Sequence, residues 1–322
     1  MLLAGDIGGT KTLLGLFDPQ PARPRPLAVR AFATLDFEDL TSLIAAFASD
    51  EGVKGAPLDV ACFGVAGPVI GDTAELTNVP WRVDAREVGR AFAIRRVALL
   101  NDLQAMAYAV PILQGPELQT LQEGEGVRGG NMAVIAAGTG MGQALLHNVG
   151  GRFVPSPCEG GHADFAARTE PEIALLRDLI RRFGRATVEH VVSGRGLVNI
   201  HRGMHAGRCA VVSDLDDPGA PAAISTSALE GRCQGCIEVL GIFVEAYGAE
   251  AGNLALRSVA TAGLFIGGGI APKILPALAD GRFMHAFRDK APFHDMLARM
   301  PVKIILNGEA ALLGAAVYAA GE

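Results

Sequence analysis

Short apolar runs at residues 2–7 and 13–17 flank the turn DIGGTK (Asp6 to Lys11), and the same arrangement returns at 132–137, 138–142 (GTGMG) and 143–149. Runs this short with glycines between them predict strand, turn, strand. Such a turn lets backbone N–H groups approach an anion closely, because glycine carries no Cβ to hold it away. Its recurrence predicts two related lobes, each presenting one phosphate-facing hairpin to a shared cleft. With 322 residues, half of them apolar and 19% charged, the chain is long enough to build two cores.

The remaining pattern is that of an α/β protein with mixed sheets and flanking helices. Residues 19–26 (PQPARPRP) predict an exposed connection, since their prolines forbid regular structure, and 27–33 an apolar strand. Leu40, Leu43, Ile44 and Phe47 fall at helical spacing, with Asp36 placed to cap them. Residues 58–66 predict a buried strand broken by Gly67 and Pro68, and 76–81 (LTNVPW) a loop or edge strand. Residues 97–100 form another apolar run that ends in Asn101 and Asp102, at a strand's carboxyl end, where open α/β sheets bind ligands.

Residues 111–131 show weak periodicity and mark the expected boundary between lobes. Helices are expected at 170–183, after Ser193 and at 225–256. A strand at 261–266 is closed by Gly267, Gly268 and Gly269. The last strand (302–306) and last helix (309–320) are expected to return onto the first lobe, whose sheet needs helices on both faces. The expected division is therefore 1–110 with 301–322 as a small lobe, and 111–300 as a larger, helix-rich one.

Several function classes lose support early. A net charge of −6 gives no footprint for nucleic acid or an anionic membrane. The start MLLAGDIGGT has neither a basic leader nor a long apolar stretch, which predicts a cytoplasmic protein without a membrane span. Five cysteines at irregular spacing predict reduced thiols. Cys233 and Cys236 (CQGC) have no second pair or nearby histidine to complete a tetrahedral metal set, so they read as ordinary helix thiols.

Residues 5–12 (GDIGGTKT) miss the P-loop pattern because Thr10 stands where glycine is required, and the apolar LLGLF that follows suits a strand, not the helix a P-loop opens. GTGMG fails the dinucleotide fingerprint because Gln143 occupies the place of its last glycine. What is left fits phosphoryl transfer to a hydroxyl: Asp6 near hydrated Mg²⁺, glycines around phosphates, and Asp102 as a carboxylate able to take a hydroxyl's proton. Taken locally, Asn101 and Asp102 read equally well as a helix cap. EGGH (Glu159 to His162) offers donors and acceptors in pairs, as vicinal hydroxyls demand; with Asp164 it makes an incomplete metal set. Glu189 is a third sugar-facing candidate, or a surface charge.

These pieces in this order, GDIGGT, LTNVPW, LLND, AAGTGMG, CEGGH, VEHVVSGRGL, CQGC, NLAL, FIGGGIAP and ALLGAA, resemble the bacterial glucokinase family over nearly the whole chain. That family is part of the hexokinase, actin and Hsp70 superfamily, so the resemblance implies two lobes of actin-like ATPase (ribonuclease H-like) architecture around a cleft. It implies ATP and Mg²⁺ as cofactors, glucose as substrate and a homodimer. It further implies that Asn101, Asp102, Glu159, His162 and Glu189 hold glucose, with Asp102 as general base for the 6-hydroxyl. Gly8, Gly9 and Thr10 with Gly138, Thr139 and Gly140 would surround the ATP phosphates, with Asp6 near Mg²⁺ and Gly267, Gly268 and Gly269 bordering the adenosine. Lys11 departs from the Asn that many members carry after DIGGT. The rival readings are a kinase for another hexose or aminosugar and a non-catalytic sugar-binding regulator. The regulator would carry a DNA-binding segment before the first loop, where five residues precede Asp6.

Overall fold

The computed structural model describes residues 1–50, 53–76, 79–205, 209 and 211–321. The chain divides into two compact units: 1–114 with 153–157 and 307–322, and 115–152 with 158–306.

The first unit is built on a five-stranded sheet of order β3-β2-β1-β4-β8, with β1 Leu2–Ile7, β2 Lys11–Asp18, β3 Arg25–Ala33, β4 Val60–Val65 and β8 Arg96–Asn101. β1 pairs antiparallel with β2, and parallel with β4, which in turn runs parallel to β8. Side chains alternate across a strand. Leu3 and Ile7 therefore enter the core that includes α1 (Leu40–Ser49) and α2 (Ala85–Phe92), while Leu2 and Ala4 enter the core beneath α3 (Asp102–Ala109) and α11 (Ala310–Ala320). Asp6 shares the parity of Leu2 and Ala4, which directs its carboxylate to the face that α3 covers. A small sheet of β5 Val69–Ile70, β6 Thr73–Glu75 and β7 Arg82–Asp84 precedes α2. Within the expected loop at 76–81, residues 77 and 78 lie outside the described residues.

The second unit's sheet has the order β12-β11-β10-β13-β14-β9, from β9 Leu118–Gln122, β10 Met132–Ala137, β11 Met141–Val149, β12 Arg152–Cys158, β13 Gly263–Gly267 and β14 Val302–Ile305. β10 pairs antiparallel with β11 and parallel with β13, and β13 runs parallel to β14. Its strands β12 to β14 thus repeat the first sheet's order, with β9 added at the edge. The helices α4 (Glu170–Phe183), α5 (Gly194–Met204), α6 (Ala220–Leu229), α7 (Gln234–Ser258), α8 (Leu275–Leu278), α9 (Arg282–Arg288) and α10 (His294–Arg299) complete it, and α5, α6, α7 and α9 share one core with β10, β13 and β14.

Four sequence expectations need correction. The strand placed with residues 301–322 pairs instead with β13 and β9 of the second sheet, so the first unit's return begins at 307 and consists of α11. The segment at 111–131 is not plain linker, since β9 lies within it; LQTLQ lacks the apolar run that marks a strand, and pairing with β14 supplies its order. Asp39, not Asp36, caps α1: its carboxylate accepts from Ser42 N at 2.7 Å in a reciprocal capping box. The helix expected at 225–256 is two helices, α6 and α7, separated at residues 230–233.

Candidate active site

In the first unit the turn after β1 is closed by Gly8 N–H donating to Lys11 O at 3.1 Å. Thr34 buttresses it from the end of β3: its hydroxyl donates to Gly8 O at 2.8 Å, and its N–H donates to Thr10 O at 3.1 Å. Gly8, Gly9 and Thr10 are held by backbone contacts while remaining partly or fully exposed.

Asn101 ends β8 and is the N-cap of α3; its Oδ1 accepts from Leu103 N at 3.0 Å. Asp102 Oδ1 accepts from the same N–H at 2.8 Å. The cap reading is therefore real for Asn101, and it fixes where Asp102 stands: at the first turn of α3, over the carboxyl end of the sheet. Burial, and second the Asp102 carboxylate, push the Asp6 carboxyl up from its ordinary 3.8 to about 6, with Lys11 pulling the other way. Two carboxylates that disturb one another across a strand end are hard oxygen donors sharing excess negative charge, a set that suits a hydrated Mg²⁺.

A raised folded-state value means that Asp6 favours folding at low pH and opposes it as pH rises through about 6. In the ligand-free protein, Asp6→Asn should therefore raise Tm at pH 8. The gain should shrink as pH falls through about 6 and vanish near 3.8. Calorimetric melts at stepped pH check this; a gain independent of pH contradicts it.

In the second unit the turn after β10 closes through Gly138 N–H to Gly140 O at 2.8 Å. The start of α5 supports it from behind, Gly194 N–H donating to Gly138 O at 2.8 Å. Glu189 ties this turn to EGGH. Its Oε2 accepts from Met141 N at 2.8 Å, and its own N–H donates to Gly161 O at 2.9 Å. A Cβ on Gly140 would lie 2.6 Å from Glu189 Oε2, so glycine is what allows the approach. Thr139, Glu159 and His162 are exposed, and Glu189 is half-buried. Gly268, at φ +84°, packs where any Cβ would strike the backbone of Ala137 at the end of β10. Ile270 N–H donates to Ala137 O at 3.3 Å, which sets the Gly267–Gly269 turn beside the end of β10.

Glu189 thus links the Gly138–Gly140 turn to Gly161 of the EGGH segment in the second unit, and Asp6 lies within electrostatic reach of Asp102 in the first. Sequence reasoning missed the supports. Buried Gln143, noted only as a broken fingerprint, donates to Glu250 Oε1 at 2.8 Å, and Glu250 also accepts from Asn253 at 2.8 Å and Arg257 at 2.9 Å. A cavity of about 540 Å³ in the second unit, lined by Leu278, Met284, His285 and Arg288 among others, contains none of the candidate residues. Among the described residues, no helix is long and apolar enough to cross a membrane.

Two sheets of repeated strand order, each with a glycine-rich hairpin, together with the relatives that follow, make the chain an ATP-dependent hexose kinase of the actin-like ATPase fold. Solved structures bear out the class: a glucokinase from an Antarctic psychrotroph covers 100% of this chain and 99% of its own at TM-score 0.87 and 30% identity. A ROK family glucokinase from Streptomyces griseus, solved in complex with glucose and AMPPNP, shares the fold at TM-score 0.69 and 21% identity, covering 100% and 99%. Residues 3–322 match the family model described as Glucokinase. A glucokinase of Nostoc sp. (strain PCC 7120 / SAG 25.82 / UTEX 2576) is 39% identical over 99% of both chains, and one of Photorhabdus laumondii subsp. laumondii 33% identical over 98% of this chain and 96% of its own. The chain belongs to the glucokinase family.

Proposed function

We propose that this chain transfers the γ-phosphoryl group of ATP to the 6-hydroxyl of glucose, giving glucose 6-phosphate and ADP. The observation that carries this reading is the placement of Asp102 at a strand's carboxyl end beside Asp6, in a chain that matches the glucokinase family from residue 3 to 322. Asp102 takes the proton of the sugar hydroxyl as its oxygen attacks the γ-phosphorus; the new P–O bond forms as the bond to the bridging oxygen of ADP breaks. Asn101 Nδ2 has two hydrogens, one of which points to Gly67 O at 3.4 Å, and the other is a donor for the sugar. Glu159, His162 and Glu189 act on glucose hydroxyls.

Gly8, Gly9, Thr10, Gly138, Thr139 and Gly140 offer backbone N–H groups to the phosphates, and Gly267, Gly268 and Gly269 border the adenosine. Asp6 would hold Mg²⁺ through water, and that ion supplies neutralisation of phosphate charge when bound. Family membership also supports a cytoplasmic homodimer.

The test is a phosphorylation assay with Mg²⁺ across glucose, mannose, fructose and N-acetylated aminosugars, with ATP, ADP and polyphosphate as donors. Glucose with ATP should give the highest kcat/KM. Sugar binding without phosphorylation of any hexose would favour the non-catalytic regulator instead.

A further inference from the structure

His201, His205 and Cys209 recur every four residues at the end of α5 and beyond it, and Cys236 lies in the first turn of α7. One ligand atom from each of the four lies within 4.8 Å of every other. This overturns the expectation that no histidine stands near the CQGC pair: His205 Nε2 is 3.2 Å from Cys233 Sγ. The missing partners come from a helix remote in sequence.

Three features separate this cluster from ordinary core packing. His201 is 5% exposed, yet neither of its ring nitrogens has a hydrogen-bond partner, and the buried Nδ1 of His205 has none either. An imidazole shut away from water with both nitrogens unmet is costly, and native interiors rarely leave such groups unsatisfied. The two rings stack with centroids 4.3 Å apart. Cys209 Sγ stands 3.9 Å from Cys236 Sγ. Tetrahedral zinc with its usual Zn–S and Zn–N bonds separates its ligand atoms by about 3.3–3.8 Å, so this edge already has nearly the required length. Gly235 contributes by omission, since a Cβ there would strike the His205 ring.

We propose that His201, His205, Cys209 and Cys236 bind one structural zinc ion that clamps the end of α5 to the start of α7. Two nitrogens and two sulfurs in a closed set are the donors zinc takes in structural sites. The two thiols lose their protons to solvent on binding, and two thiolates with Zn²⁺ make a neutral, buried complex. Cys233 Sγ, 3.9 Å from Cys209 Sγ and half-buried, stands beside the site as an unused fifth donor. Because α5 begins at the Gly194 contact with the GTG turn, the clamp steadies the helix behind that turn without touching substrate.

Metal analysis of the purified full-length chain should give one zinc per chain. After chelation the ion should rebind with submicromolar Kd, and metal loss should lower Tm by about 5 °C or more. Cobalt(II) added to the metal-free chain should produce thiolate-to-cobalt charge-transfer bands and the strong visible absorption of tetrahedral cobalt, a readout that needs no variant to fold. Cys209→Ser and Cys236→Ser should lose zinc and the charge-transfer intensity, while Cys233→Ser keeps one zinc per chain. The proposal is overturned if the unmodified metal-free chain binds neither ion below micromolar Kd, if a Cys233–Cys236 disulfide is its stable form, or if Cys233→Ser loses zinc while Cys236→Ser keeps it.

Discussion

Asp102→Asn should lower kcat for glucose phosphorylation by about 10²–10⁴ while leaving glucose affinity nearly unchanged. The substitution is close to isosteric, and the new amide oxygen can still accept from Leu103 N, as Oδ1 does now at 2.8 Å. The first turn of α3 therefore keeps its geometry. An amide cannot take the hydroxyl's proton, so the loss falls on the chemical step. Losing a charge beside Asp6 also relieves part of the push that raises the Asp6 carboxyl, after that of burial. Steady-state kcat at saturating ATP, with calorimetric glucose titration, separates the two effects. Turnover near the parent's value removes Asp102 from the role of base.

Glu189→Ala should cost both stability and sugar recognition, whereas Glu189→Gln should cost recognition alone. Alanine leaves Met141 N–H, now bonded at 2.8 Å, without its acceptor at a half-buried position, a loss of about 1–3 kcal/mol. Glutamine keeps an oxygen there and spares the turn. Either change deletes the charged acceptor proposed for a glucose hydroxyl, a difference of about 1.5–3 kcal/mol, or roughly 10- to 100-fold in kcat/KM for glucose. A Glu189→Gln variant with parental kcat/KM would return Glu189 to a purely structural part.

Much of this architecture is legible in the residues because glycine and proline punctuate it. β1, β2, β10 and β11 are short apolar runs bounded by Gly-rich turns, and the duplication is visible from those four strands. Asn101 and Asp102 stand out because they follow directly on the apolar run 97–100. What stays hidden depends on partners far along the chain. Nothing local distinguishes Glu189 from a surface charge; its meaning comes from Met141 and Gly161. Gln143 reads as a defect until Glu250 is opposite it. β9 has no apolar run and is ordered by β14. The thiols of CQGC look alone because His201, His205 and Cys209 precede them on another element. Asp36 and Asp39 both satisfy the composition of a cap, and backbone geometry alone chooses between them.

The most direct measurement is kcat/KM for glucose in Asp102→Asn, Glu189→Gln and the double variant, compared with the parent. Asp102→Asn should lose the most, through kcat, and Glu189→Gln roughly 10- to 100-fold; because one change falls on proton transfer and the other on sugar recognition, the double variant should lose about the product of the two. Parental kcat/KM in both single variants would contradict the roles given to Asp102 and Glu189.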